Sequence, residues 1–272
     1  MRSLCSLFTS KRGNVSSMKL TILGSSGSVG APDNPSSGYL IQFENSPSIA
    51  MDFGHGVMGE LQRIQDPNDA HVVFSHMHAD HCMDFPALMV WRRFHPTQPA
   101  PGRNLCGGPK DAPVVLGRLS SNSIDKVDDM SDTFAFIPWE PGKEEIFGAV
   151  TITPWPTIHP IDSYALRLKE TRTGKVIAYS GDAAYAENLI DCARDADLFL
   201  CEATGGATSE GKAPDMHMSG AEAGRLARLA GAKKLVLVHI PPWSDTNEAL
   251  AAARAEFDGE VLVGEHGLEL TV

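Results

Sequence analysis

The chain has 272 residues, 42% of them hydrophobic, and a formal net charge of −11. That length and apolar content suit one large α/β domain, and the acid excess excludes a general nucleic-acid binder, which needs a basic footprint. The five cysteines (Cys5, Cys82, Cys106, Cys192 and Cys201) are odd in number and form no C-x-x-C pair, which argues against a disulfide framework and for a reducing compartment.

The opening MRSLCSLFTSKRGNVSS carries an apolar part too short for a signal peptide or a membrane span, and Lys11-Arg12 follows it instead of preceding it. Residues 1–17 are therefore expected to be a disordered tail or an over-extended start, ahead of a single domain over 18–272 in a cytoplasmic protein without membrane contact. Strand signals follow at Leu20–Leu23, Tyr39–Phe43 and Ile49–Phe53, separated by turns rich in Gly, Ser, Pro and Asn. A helix is predicted over Val57–Ile64, a strand over His71–Ser75 and a buried helix over Phe85–Phe94. Arg92-Arg93 beside His95 is the densest basic patch and reads as a solvated helix end. Residues 96–133 hold five prolines and several glycines, and read as loops with a short helix near Ala112–Ser121. Strands return at Phe134–Trp139, Ala149–Trp155 and Ser163–Leu168. Beyond them the pattern alternates: strand Val176–Ser180, helix Glu187–Ala193, strand Leu198–Glu202, helix Ala221–Ala230, strand Leu235–Ile240, helix Asn247–Phe257, strand Val261–Val263. Mixed strands followed by strand/helix alternation predict a layered α/β sandwich.

Chemistry concentrates in VFSHMHADHCMDF, residues 73–85, where His76, His78, Asp80 and His81 stand in the order H-x-H-x-D-H after an apolar run. Borderline divalent metals such as Zn²⁺ take N and O ligands of this kind. The cluster could serve one ion, and two adjacent ions would share it more naturally if further ligands arrive from elsewhere. His159 in WPTIHPIDSY, Asp182 in AYSGDAAY and His239 in KLVLVHIPPW each follow an apolar run, where α/β folds gather functional loops. Alone, each would pass for an ordinary strand-end residue. Their order after the first cluster raises them jointly, and Asp182 could bridge two ions with its two oxygens.

His217 lies in MHMSGAEAG, where Ser219 and Glu222 form a capping box ahead of a helix. That helix end would offer partial positive charge and free N–H groups to an anion such as phosphate. Glu202 in CEATGG could orient the His217 imidazole and keep it protonated. Spacing alone favours an ordinary loop histidine and an ordinary glutamate.

From Met18 onward the sequence resembles the metallo-β-lactamase-fold hydrolases. The ordered set His76, His78, Asp80, His81, His159, Asp182 and His239 is similar to that superfamily's dinuclear pattern, and MDFGHG, with Asp52 and Gly54, to its early D-x-G element. The resemblance implies an αββα fold of two mixed sheets between helices. It implies one ion on His76, His78 and His159, a second on Asp80, His81 and His239, and Asp182 with a solvent hydroxide between them. The ions are expected to be Zn²⁺, with Mn²⁺ or Fe²⁺ as alternatives. Relatives of this fold often form homodimers.

E-A-T followed by a helix-opening H-x-S is similar to the phosphodiesterase branch, which includes ribonuclease Z, and Ser163-Tyr164 also looks like that branch. By this resemblance Glu202, His217 and Asp80 form a relay beside the scissile phosphate. The flexible arm by which bacterial ribonuclease Z grips transfer RNA has no room here, since only 22 residues separate His159 from Asp182. Ala183 also stands where that enzyme usually has threonine. LGSSGSVGAPDNPSSGYL, MDFGHGVMGELQR, SHMHADHCMDFPALMVWRR and PDMHMSGAEAG look closer to armless actinobacterial proteins that hydrolyse cyclic AMP. The expected function is hydrolysis of a 3′,5′-cyclic nucleotide by a metal-bridging hydroxide. The alternatives are a transfer-RNA 3′-end endonuclease and a nucleotide- or metal-binding protein without turnover. A β-lactamase is disfavoured by the missing secretion signal and a thioester hydrolase by His217, which a thiolate leaving group would not need.

Overall fold

The computed structural model describes residues 18–272, so the expected tail over 1–17 lies outside the described residues. In chain order the first strands are β1 (Lys19–Gly24), β2 (Gly38–Phe43), β3 (Ser46–Met51), β4 (Ala70–Val73), β5 (Asn104–Gly108) and β6 (Phe134–Pro138). The second set is β7 (Glu145–Phe147), β8 (Val150–Pro156), β9 (Tyr164–Glu170), β10 (Val176–Tyr179), β11 (Leu198–Glu202), β12 (Lys234–Val238) and β13 (Glu260–Val263), and β14 (Glu269–Thr271) returns to the first. They form two seven-stranded sheets, ordered β14-β1-β2-β3-β4-β5-β6 and β13-β12-β11-β10-β9-β8-β7. Each sheet is antiparallel in one half and parallel in the other: β3 to β6 run parallel in the first, β10 to β13 in the second.

The sequence makes both faces of these sheets apolar, so four layers are the way to bury them. Leu20, Ile22, Ile49 and Met51 point between the sheets and meet Ile177, Leu198, Leu200 and Val236. The intervening Ala50 and Val72 face outward onto α1 (Val57–Ile64), α3 (Phe85–Phe94) and α4 (Ala112–Ser120). On the second sheet Phe199 and Cys201 face outward onto α5 (Asn188–Ala193), α6 (Gly220–Ala230) and α7 (Thr246–Glu256). Each buried Leu, Ile or Val contributes about 1.5–3 kcal/mol relative to exposure. The αββα sandwich is the arrangement expected. Among the described residues no helix is long and apolar enough to cross a membrane.

Three departures have physical causes. The strand expected to end at Phe53 stops at Met51, because Asp52 takes a left-handed backbone (φ 57°). The stretch 96–133 contains β5, an inner strand between β4 and β6. Its sequence NLCGG hides this, since Gly107 is needed by the fold: a Cβ there would lie 2.3 Å from the Trp139 ring. Arg92-Arg93 is no solvated end either. Arg92 is buried and donates to Thr133 and to the Gly102 and Asn68 carbonyls, while Arg93 pairs with Asp128 and Asp132. Both pin the 96–133 segment to α3.

Candidate metal centre

The site lies at the carboxyl ends of the parallel strands, where backbone pairing stops and loops can turn inward. After β4 the chain stays extended. His76 and His78, two residues apart, therefore share a side, and Met77 between them packs into the core under α3. One helical turn, α2 (Ala79–Cys82), then lifts Asp80 and His81 into the same space. That turn sits tightly on the MDFGHG segment: Phe53 N–H donates to the His81 carbonyl, and a Cβ on Gly54 would lie 1.9 Å from the Asp80 carbonyl oxygen. Only glycine fits there. His159 follows β8, Asp182 follows β10, Glu202 ends β11 and His239 follows β12 in a left-handed conformation (φ 56°).

The seven side chains converge as two groups sharing one carboxylate. His78 Nδ1 lies 3.1 Å from both His76 Nε2 and His159 Nε2. In the second group His239 Nε2 lies 3.1 Å from His81 Nε2 and 3.0 Å from Asp80 Oδ2. Asp182 stands between them, with Oδ1 3.3 Å from His81 Nε2 and Oδ2 3.4 Å from His239 Nε2 and 3.7 Å from His76 Nε2. Donors at about 2.0–2.1 Å from one ion, at tetrahedral to octahedral angles, are separated by about 2.9–3.4 Å, so these spacings fit shared coordination. Asp182 Oδ1 is buried and finds no hydrogen-bond partner, although such an orphan is costly unless a cation takes its lone pair. His76, His78, His159 and Asp182 form one set that could hold an ion, and Asp80, His81 and His239 another.

Protonation is poised for ligation. Burial holds the His76, His78 and His159 imidazoles below their ordinary pKa, with neighbouring imidazoles adding to it. They therefore present lone pairs, as metal binding requires. Burial opposes ionisation of Asp80 and Asp182, yet the surrounding histidines hold both carboxyls below the usual range. His81 goes the other way: burial opposes its charge, but Asp182 and Asp52 raise it. A cation would replace that proton.

Behind the rings a second set of contacts fixes which nitrogen faces inward. Asp52 is the hub: Oδ1 accepts from Ser75 N–H (2.8 Å), and Oδ2 accepts from Ser75 Oγ (2.8 Å), His81 Nδ1 (2.8 Å) and the Tyr179 hydroxyl (2.9 Å). Its left-handed backbone aims the carboxylate under the ligands. His76 Nδ1 donates to Ser75 Oγ, His159 Nδ1 to the Met216 carbonyl and His239 Nδ1 to Thr204 Oγ1, which itself donates to the His239 carbonyl. Such partners orient imidazole ligands and raise their basicity. Ser163 Oγ and Thr157 Oγ1 both donate to the Asp182 carbonyl and hold its loop.

Beside this cluster His217 Nδ1 donates to Glu202 Oε1 at 2.9 Å. The imidazole stacks on His239 (5.6 Å between centroids) and meets His159 edge-on (5.4 Å). Glu202 is fully buried and also accepts from Ala183 N–H (2.7 Å) and Thr204 N–H (3.2 Å). Burial alone would lower the His217 pKa, but the hydrogen bond and charge of Glu202, with Asp182 and Asp80 beyond, push it up to about 9. The charged imidazole thus contributes stability that is full below about pH 6.5 and lost as pH rises through about 9. In metal-free protein the His217 ring is expected to titrate near 9 by NMR, and Glu202→Gln to bring the midpoint down. An unmoved midpoint in that variant would show that Glu202 does not set it. Asp80 makes no hydrogen bond to His217 in the structure; its partners are His239 and His81, and it reaches the relay only through its charge.

A family model described as the β-lactamase superfamily domain matches residues 49–240. The chain belongs to the β-lactamase superfamily. A protein of Mycobacterium tuberculosis is 46% identical to it over 249 residues, covering 92% of this chain and 90% of that one. The probable metallo-hydrolase YhfI of Bacillus subtilis is 31% identical over 252 residues, covering 92% of this chain and 98% of its own. The crystal structure of YhfI superposes with a TM-score of 0.82 over 94% of this chain and all of YhfI. Ribonuclease Z of Haloarcula marismortui is 25% identical over 304 residues, covering 94% and 97%.

This superfamily member is thus a metallo-hydrolase related to ribonuclease Z, and its fold is the metallo-β-lactamase sandwich. Every residue expected as a ligand lies in the cluster, and His217 and Glu202 lie at its edge. Four contributors were not singled out: Ser75, Thr157, Thr204 and Tyr179. Each had the signal of lying within three residues of a ligand or of Glu202, but their partners are distant in sequence. One expectation fails. The N-terminus of α6 offers no free N–H groups to an anion, because Gly220 N–H donates to Gly206 O, Ala221 N–H to Ala207 O and Glu222 N–H to Ser219 Oγ. The predicted capping box itself is present.

Proposed function

We propose that the chain is a dinuclear metal-dependent phosphodiesterase that hydrolyses a small phosphodiester, a 3′,5′-cyclic nucleotide such as cyclic AMP being the best fit. The observation that carries this reading is the His217–Glu202 pair set against the ligand histidines. An alkoxide leaves badly without a proton, and a cationic imidazole held at the reacting centre supplies one. A β-lactam or thioester hydrolase gives no reason for this pair. Similarity to ribonuclease Z supports phosphodiester chemistry.

In this reading His76, His78, His159, Asp80, His81, His239 and Asp182 would hold two divalent ions, with N and O donors suited to Zn²⁺, Mn²⁺ or Fe²⁺. Bound there, such ions supply Lewis acidity toward phosphoryl oxygens and lower the pKa of solvent toward about 7. Asp52, Ser75 and Thr204 keep the ligand rings in their tautomers. Water oxygen adds to phosphorus and gives up a proton to solvent, the bond from phosphorus to O3′ breaks, and His217 Nε2 gives its proton to O3′ and regains one from solvent. Glu202 stabilises the imidazolium and holds its Nε2 toward the reacting atoms. The product is the 5′-monoester.

The short connection between His159 and Asp182 and the net charge of −11 disfavour a transfer-RNA substrate. The test is a side-by-side assay of metal-loaded protein on cyclic AMP and on a transfer-RNA precursor. Turnover of cyclic AMP with slow or no RNA cleavage is expected. Faster cleavage of the precursor would move the chain to the ribonuclease Z activity, and tight nucleotide binding without turnover would make it a binding protein.

A further inference from the structure

Beyond His217 the site opens into a cavity of about 620 Å³, a volume typical of small-molecule seats. Thr204 and His217 form its inner wall, and Ala213, Met216, Pro241 and Trp243 give it an apolar lining. Trp243 is 70% exposed. An indole so open to water forgoes most of the burial that usually accounts for tryptophan. Its backbone is held, however: it follows Pro241-Pro242 four residues after His239, and Ser244 N–H closes a turn onto the Pro241 carbonyl at 2.9 Å. Asp245 and Glu248 stand on the same cavity, with Lys212 on the rim. The Asp245 carboxylate is fixed by accepting from Asn247 N–H at 2.8 Å as the cap of α7.

We propose that this cavity seats the nucleobase of a single nucleotide, stacked on Trp243. The inference rests on the phosphodiesterase reading. His217 protonates the departing O3′, and in a 3′,5′-cyclic nucleotide the base hangs from that same sugar, so it must lie on the His217 side. A flat aromatic face takes any base by stacking. Asp245 and Glu248 accept hydrogen bonds from an exocyclic amine or a ribose hydroxyl. They also repel further phosphates, which makes the cavity a mononucleotide seat and not part of a polynucleotide track.

The experiment compares cyclic AMP with the base-less methyl riboside 3′,5′-cyclic phosphate, which has the same reacting atoms, using metal-loaded parent, Trp243→Ala and Trp243→Phe. Trp243→Ala is expected to raise KM for cyclic AMP about tenfold with kcat nearly constant, while leaving KM for the base-less ester unchanged. Trp243→Phe should recover most of the loss. An unchanged KM for cyclic AMP, or equal rises on both substrates, overturns the base seat while hydrolysis stands. Should the parent turn over neither ester, the phosphodiesterase reading has failed. AMP titrated against tryptophan emission then decides the seat independently: quenching that disappears in Trp243→Phe supports it, and its absence in the parent overturns it.

Discussion

Asp182→Asn is expected to lower phosphodiester hydrolysis by about 10³-fold or more and to cut the bound metal to one ion or none per chain. Among the described residues Asp182 is the one carboxylate within reach of both groups, and its buried Oδ1 has no hydrogen-bond partner. The amide keeps the shape and removes the charge. Asp52→Asn is the informative contrast. It leaves every ligand in place and removes the charge behind His81, where outer partners are worth about 10–100-fold in affinity or activity. Metal content by plasma mass spectrometry and kcat on the same preparations separate the two positions. Full metal occupancy and full turnover in Asp182→Asn would remove it from the centre.

The sequence was most informative where chemistry is local. H-x-H-x-D-H is contiguous, and strand ends reveal His159, Asp182 and His239 because an apolar run points at each. The capping box at Ser219 and Glu222 spans one helical turn and was equally visible. What could not be read depends on contacts between distant segments. Asp52 was noticed only as part of MDFGHG, since its donors come from positions 75, 81 and 179. The inner strand β5 looked like loop because Gly107 answers to Trp139, 32 residues later. The anion site expected at α6 failed for the same reason: the carbonyls of Gly206 and Ala207 fold back and use its N–H groups. Local propensity sees a free helix end, and only the tertiary path of the 203–219 loop shows that it is occupied.

His217→Ala is expected to lower kcat/KM on cyclic AMP by about 10²–10⁴-fold at neutral pH, the usual range for a positioned general acid. The same variant should lose less than about tenfold on bis(4-nitrophenyl) phosphate. The difference follows from the leaving groups. A ribose alkoxide needs the proton that His217 carries, whereas nitrophenolate is stable enough to depart without one. A purely structural histidine would predict equal losses on both substrates, as would one that only helps bind metal. That second possibility is real, because Asp182, His217 and His239 also converge as ligand atoms. Metal content must therefore match the parent in the preparations compared. Glu202→Gln should follow the same pattern with a smaller loss, since it leaves the imidazole in place and removes only the charge that keeps it protonated. Equal losses on the alkyl and aryl esters, at equal metal content, would take the proton-donor role away from His217 and leave Glu202 with a structural one.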